Sequence, residues 1–167
     1  MRSSTKKNLE EAFGGESKAA MKYSIYSEIA EKNGFPNVSK LFRAISYAET
    51  VHATNHYRNL GMIKSTSENL EDAIEGEHYE VNEMYPVFNQ VAKFQNEKGA
   101  ELSTEYALEA EKIHESLYKN ALENINKKKD IDSADVFICP VCGYTVVGKA
   151  PEKCPVCGTA GSKFKKF

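Results

Sequence analysis

Apolar positions recur at spacings of three, four and seven through most of the chain up to Lys128, a period that belongs to amphipathic helices rather than strands. Between Thr5 and Lys32 one stripe carries Leu9, Phe13, Ala20, Tyr23 and Ala30, and Glu16 interrupts it. The turn Asn33-Gly-Phe-Pro-Asn37 predicts the end of this first helix, because glycine suits the position just past a helix and proline restricts the residue before it. A second helix is expected from about Val38 to Leu60, with Val38, Phe42, Ile45, Glu49, His52 and His56 inward and Gly61 closing it. After a small polar connector, Ser65-x-x-Glu68 fits a capping box for a third helix over roughly Glu68 to Lys98. Its stripe reads Leu70, Ala73, Glu77, Glu80, Met84, Val87 and Val91. Pro86 falls inside this pattern and predicts a kink or a split, since it removes a backbone donor and crowds the preceding turn. Gly99 predicts the next break, and a fourth helix is expected from Ala100 to about Lys128 with Ala107, Glu111, His114, Tyr118, Ala121 and Ile125 inward.

Four helices of roughly 25 residues each are near the length of bundle elements, so the fold class is mainly α, a four-helix bundle. Residues 129–135 are polar and charged and read as a linker. Residues 136–167 place Gly and Pro around short Val- and Phe-containing pieces, which predicts a small β-rich module too short to fold without a staple. The expected domains are therefore 1–134 and 135–167.

The chemistry lies in polar residues on apolar stripes. Glu-x-x-His occurs twice, as Glu49 with His52 and as Glu111 with His114, and residues three apart on a helix point the same way. The inward polar set collects Glu16, Glu49, His52, Glu77, Glu80, Glu111 and His114, with contributions from every helix. Buried carboxylates facing one another cost several kcal/mol each unless cations neutralise them. Carboxylate oxygens with an imidazole at each end suit a pair of iron or manganese ions, as in two-metal bundle sites. On spacing alone Glu83 competes with Glu80, and His56 is either a further ligand or a hydrogen-bonded core residue. His78 points elsewhere. Tyr23 and Tyr85 lie near the acidic residues, either to orient them and deliver protons or to fill the core.

Cys139-Pro-Val-Cys142-Gly143 and Cys154-Pro-Val-Cys157-Gly158 are two copies of one knuckle. Their glycines can take the positive φ that brings backbone N–H groups to the thiolates, and four thiolates make a tetrahedral site for zinc or a single iron. Zinc would be structural; iron would carry one electron.

Composition narrows the picture further. With 41% hydrophobic and 28% charged residues and a net charge of −2, the 167-residue chain has no basic stripe for nucleic acid and no apolar run long enough to span a membrane. Without an apolar leader segment, the expected location is cytoplasmic, where paired cysteines point to metal rather than disulfides.

Taken together, 13-FGGES-17 with Tyr23, the two Glu-x-x-His helices, 76-GEHYEVNEMYP-86 and the paired CPVCG knuckles resemble the rubrerythrin family along essentially the whole chain. The resemblance implies a ferritin-like four-helix di-iron domain followed by a rubredoxin-like domain. It implies two irons held by Glu16, Glu49, Glu77, Glu80, Glu111 and His114, with one iron moving between Glu80 and His52 as its oxidation state changes. It also implies one iron held by Cys139, Cys142, Cys154 and Cys157, with zinc able to replace it in vitro. The implied function is an oxidative-stress peroxidase that reduces hydrogen peroxide, fed with NAD(P)H electrons through a separate reductase or rubredoxin, with Glu80, His52, Tyr23 and Tyr85 in catalytic roles. A homodimer, in some members with swapped helices, is the implied assembly. The alternative is a ferritin-like ferroxidase that handles iron.

Overall fold

A computed structural model describes the whole chain, Met1–Phe167. It divides into two compact units, Met1–Lys64 and Ser65–Phe167.

The first unit is a hairpin of α1 (Ser3–Lys32) and α2 (Pro36–Asn59). The turn between them works as its sequence predicts. Gly34 takes φ 79°, its N–H bonds the Glu31 carbonyl, and the Phe35 N–H reaches back to Ala30 at 2.9 Å. That pair of bonds is a Schellman motif, which satisfies carbonyls the helix end leaves open. Gly61, at φ 72°, ends α2 in the same way through Arg58 and Tyr57. Small residues line the seam: Ser27, Ala30, Ser39 and Ala53 are the buried ones, and the Ser46 hydroxyl crosses it to donate to the Ala20 carbonyl at 2.7 Å. Small side chains let two helices approach closely. The larger residues expected inward, Val38 and Ile45, stay 45% and 40% exposed, because two helices can bury only their common seam. Ile25, Ile29, Leu41 and Val51 are exposed with them.

The second unit opens with the expected capping box. Ser65 accepts from the Glu68 N–H while the Glu68 carboxylate accepts from the Ser65 N–H, an arrangement that stabilises a helix start by about 1 kcal/mol. The helix it starts is not one element. It runs as α3 (Thr66–Tyr79), a π-helical turn (Glu80–Met84) and α4 (Tyr85–Phe94), so the interruption predicted at Pro86 is a π turn just before it. Pro86 then sits in the first turn of α4, where its missing N–H leaves no helical bond unmade. The wider turn also shifts the phase of α4 relative to α3. Asn89 and Ala92 become the buried face against the next helix, and the expected Val87 and Val91 are exposed.

The break expected at Gly99 occurs earlier. Asn96, at φ 58°, provides the left-handed residue, with its N–H on Lys93 and the Glu97 N–H on Ala92. Gly99 lies inside the first turn of α5 (Lys98–Asn126). Asn89 ties α4 to this helix by donating to the Glu101 carbonyl and to Thr104 Oγ1 at 2.8 and 2.9 Å. α5 ends on a fourth such motif, centred on Lys128 at φ 57°. Residues 129–135 carry no regular structure, as expected of a linker. The chain then forms an antiparallel sheet in the order β2-β1-β3, from β1 (Val136–Ile138), β2 (Thr145–Val147) and β3 (Lys165–Lys166). Its core is Cys139, Cys142 and Cys154, packed by Tyr106 of α5, Tyr144, Val156 and Phe164. No helix is long and apolar enough to cross a membrane.

Candidate metal centres

Each unit holds one carboxylate–imidazole cluster, built from the same parts. In the first, α1 supplies Glu16 and α2 supplies Glu49 and His52, with one ligand atom from each inside 4.8 Å of the others. His52 Nδ1 lies 2.9 Å from Glu49 Oε2 and 4.0 Å from Glu16 Oε1. His56 is not in this cluster. Tyr23 lies against the rings of Tyr26 and Phe42, at 6.2 and 6.1 Å, in an aromatic group along the same hairpin.

In the second unit, α3 supplies Glu77 and α5 supplies Glu111 and His114. His114 Nδ1 meets Glu111 Oε2 and lies 4.0 Å from Glu77 Oε1, while its Nε2 is 2.8 Å from Thr145 Oγ1. Burial, then a hydrogen bond and like charge from Glu111, then the charges of Glu80 and Glu115, push the Glu77 carboxyl up to about 8. Glu80 opens the π turn and is raised too, by burial first and then by the Glu111 charge, against the pull of His114. Glu80 therefore belongs to this acidic group, whereas Glu83 is exposed. Tyr85 joins it as well. Burial and the charges of Glu80, Glu111 and Glu77 raise its phenol, so the hydroxyl stays protonated. His78 points elsewhere, to Glu115 at 2.9 Å and to Asn82.

The four cysteine sulfurs also lie within 4.8 Å of one another, with Cys139–Cys157 at 3.5 Å and Cys142–Cys154 at 3.4 Å. Tetrahedral thiolate ligation with bonds near 2.3 Å spaces sulfurs about 3.8 Å apart, so the group is already gathered around a metal-sized centre. Gly143 and Gly158, at φ 78° and 75°, make the two knuckle turns by donating to Cys139 and Cys154 carbonyls. Burial pushes the Cys142 thiol up, against a hydrogen bond from the Tyr144 backbone. For Cys157 burial also raises, but hydrogen bonds from the hydroxyl and backbone of Thr159 and from Cys139 and Cys142 together outweigh it and bring the thiol down to about 6. The module rests on its own chain's α5 through three neighbours: Tyr106 against the cysteine core, Gly143 beside Ala110, and Thr145 on His114.

The donors fit metal. The imidazoles of His52 and His114 lie within reach of the cluster carboxylates, and Glu77 and Glu111 face each other closely enough to share a hydrogen bond. Carboxylates crowded this way call for a cation among them, and oxygen with imidazole donors suits iron. Thr145, Thr159 and the π turn carry no mark in the sequence pattern. A helix-period search sees neither a threonine on a separate module nor one extra residue in a turn.

Helices that hold two carboxylate–imidazole clusters, followed by a tetrathiolate sheet module, define a class of iron-binding redox protein. Comparison with known proteins gives the family. The family model described as "Rubrerythrin" matches residues 7–122, and that described as "Rubrerythrin, rubredoxin-like domain" matches residues 137–165. Rubrerythrin-2 of Clostridium acetobutylicum is 43% identical over 173 residues, covering 95% of this chain and 94% of that protein. Rubrerythrin of Nitratidesulfovibrio vulgaris is 32% identical over 180 residues, covering 98% of this chain and 94% of that protein. Among solved structures, nigerythrin in a fully reduced, all-ferrous state matches with a TM-score of 0.59 at 29% identity, over 100% of this chain and 88% of that one. The chain belongs to the rubrerythrin family, and its donors fit a di-iron site and one iron among four cysteines.

Proposed function

We propose that the protein is a hydrogen peroxide reductase, in which residues 1–134 form the di-iron domain and residues 135–167 the rubredoxin-like one. The overall reaction takes two electrons and two protons per peroxide and yields two waters. The observation that carries this reading is that a chain with two carboxylate–imidazole clusters also supplies a tetrathiolate module resting on the helix of one of them. When bound, the irons supply the electrons, two at the carboxylate centre and one at a time from the thiolate centre.

The residues have separable tasks. Glu16, Glu49 and His52 are one set of iron donors, and Glu77, Glu80, Glu111 and His114 a second set, consistent with the oxygen and nitrogen donors each cluster gathers. Cys139, Cys142, Cys154 and Cys157 hold the third iron. Glu80, at the start of a π turn whose backbone is less tightly wound, and the half-exposed His52 are suited to exchange as ligands. Tyr85, kept protonated beside the acidic group, would hold a proton at its Oη for the departing oxygen. Tyr23, in the aromatic group of the hairpin, is assigned as a proton carrier for the other cluster.

A second copy of the chain is the proposed assembly partner. The exposed Ile25, Ile29, Leu41, Ile45, Val87, Val91 and Phe94 leave apolar surface on both units that a homodimer would cover. NAD(P)H electrons would arrive through a separate reductase or rubredoxin, in the cytoplasm.

Mixing reduced protein with peroxide in the absence of air tests the reading. A rapid burst of oxidation at the di-iron centre, with two electrons consumed per peroxide, is the expected result. Oxidation of the bulk reductant alone defeats it, and dioxygen-dependent uptake of iron beyond the bound sites would turn the assignment to a ferroxidase.

A further inference from the structure

His114 is held from both sides. Its Nδ1 faces the carboxylates of Glu111 and Glu77, and its Nε2 lies 2.8 Å from Thr145 Oγ1 on the sheet module. The threonine hydroxyl has one proton, and that proton is already directed at the Gly143 carbonyl, 3.0 Å away. With its proton on that carbonyl, the hydroxyl offers its oxygen as an acceptor to an Nε2–H of the imidazole. When a cation sits among the carboxylates, a ring that carries its proton on Nε2 turns an unprotonated Nδ1 toward that ion, which is the form a metal ligand needs. Thr145 is itself buried, and Gly143, whose carbonyl holds its hydroxyl, directly follows Cys142.

We infer that Thr145 is the positioning residue for His114, so that the thiolate module of a chain sets the ligand nitrogen and ring orientation of the carboxylate cluster on that chain's own α5. The inference rests on the di-metal reading only for the nature of the ion at Nδ1; the hydrogen bond itself does not depend on peroxide chemistry. It gives the module a structural task besides carrying a metal. Docking through Tyr106, Ala110 and His114 presents one hydroxyl to one imidazole, and a module displaced from α5 would release the ring.

The test uses full-length protein loaded with zinc at all sites, in which the His114 imidazole N–H can be followed by nitrogen-15 and proton NMR. In the parent protein this proton is expected on Nε2 and slow to exchange with water. Thr145→Val keeps the β-branched shape on a buried strand position and removes the acceptor, so exchange should accelerate by about tenfold or more. Thr145→Ser restores the oxygen and should return slow exchange. In iron-loaded protein, the single-turnover rate with peroxide should fall about tenfold in Thr145→Val and recover in Thr145→Ser. Unchanged His114 N–H exchange in Thr145→Val, or Thr145→Ser behaving as Thr145→Val, overturns the inference. Loss of the peroxide burst in the parent protein would instead defeat the functional reading and leave the NMR result to judge Thr145.

Discussion

The two units write the same ligand grammar on different supports. Each sets a glutamate on one helix opposite a Glu-x-x-His on another. In the hairpin unit the His52 side chain is 54% exposed and its hydrogen bond is to Glu49; in the second unit His114 is 29% exposed and gripped between Glu111 and Thr145. One imidazole is held on one side only and the other is pinned on both. The difference teaches that ligand spacing alone does not set a ligand's rigidity. What lies on the outer nitrogen does.

The harshest way to break the comparison is to remove the support. Gly161 has no room for a side chain, since an added Cβ would stand 1.8 Å from the Pro151 carbonyl oxygen, which belongs to the backbone. Gly161→Ala should distort the loop that carries Cys154 and Cys157 and abolish iron at the four-cysteine site, read as loss of its visible absorption. If docking of the module is what pins His114, the same variant should weaken metal binding at Glu77, Glu111 and His114 and leave Glu16, Glu49 and His52 untouched. Next in size, His114→Ala should lower metal affinity and single-turnover rate by more than about 100-fold, whereas His52→Ala should cost about tenfold, measured by metal content and stopped-flow mixing. Equal losses would show that imidazoles held on both sides and on one do the same work.

Much of this asymmetry was out of reach of the sequence, and the reasons are physical. Glu16, Glu49 with His52, and Glu111 with His114 were legible because a carboxylate on an apolar helical stripe breaks a period, and the cysteine knuckles because their spacing repeats. Gly34 and Gly61 announced two helix ends in the same way. The π turn did not show, since one extra residue in a turn leaves composition unchanged and only shifts the phase, which misplaced Val87 and Val91 and left Asn89 unnoticed. Thr145 was silent because it meets His114 across 31 residues of chain.

A milder probe of the pinned cluster is pH. Glu77 has a folded-state pKa near 8 against an ordinary 4.5, so between those values metal-free folded protein keeps a proton that the unfolded chain has lost. Folding stability of the metal-free protein should accordingly fall as pH rises from about 4.5 to about 8, with a melting midpoint lower by on the order of a few °C. Metal must displace that proton, so affinity at this cluster should climb with pH over the same window and level off above it. Glu77→Gln should flatten the stability slope. A slope unchanged by that substitution would place the retained proton on another group.

The smallest expected effect concerns how the helices stop. Both helices of the hairpin unit end on glycine at positive φ, while α4 and α5 end on Asn96 and Lys128 at φ 58° and 57°. A side chain in the left-handed region costs roughly 1 kcal/mol, less for asparagine, which hydrogen-bonds locally there. Lys128→Gly should therefore stabilise the second unit by up to about 1 kcal/mol, and Asn96→Gly by less, read from the denaturation midpoint. Glycine also frees the chain entering the 129–135 linker, and that loosening acts on the unfolded state as well, which trims the gain. If Lys128→Gly raises stability but speeds His114 N–H exchange, the lysine is holding the start of the linker in the direction that docks the module on α5, and the strained helix end belongs to the pinning of His114.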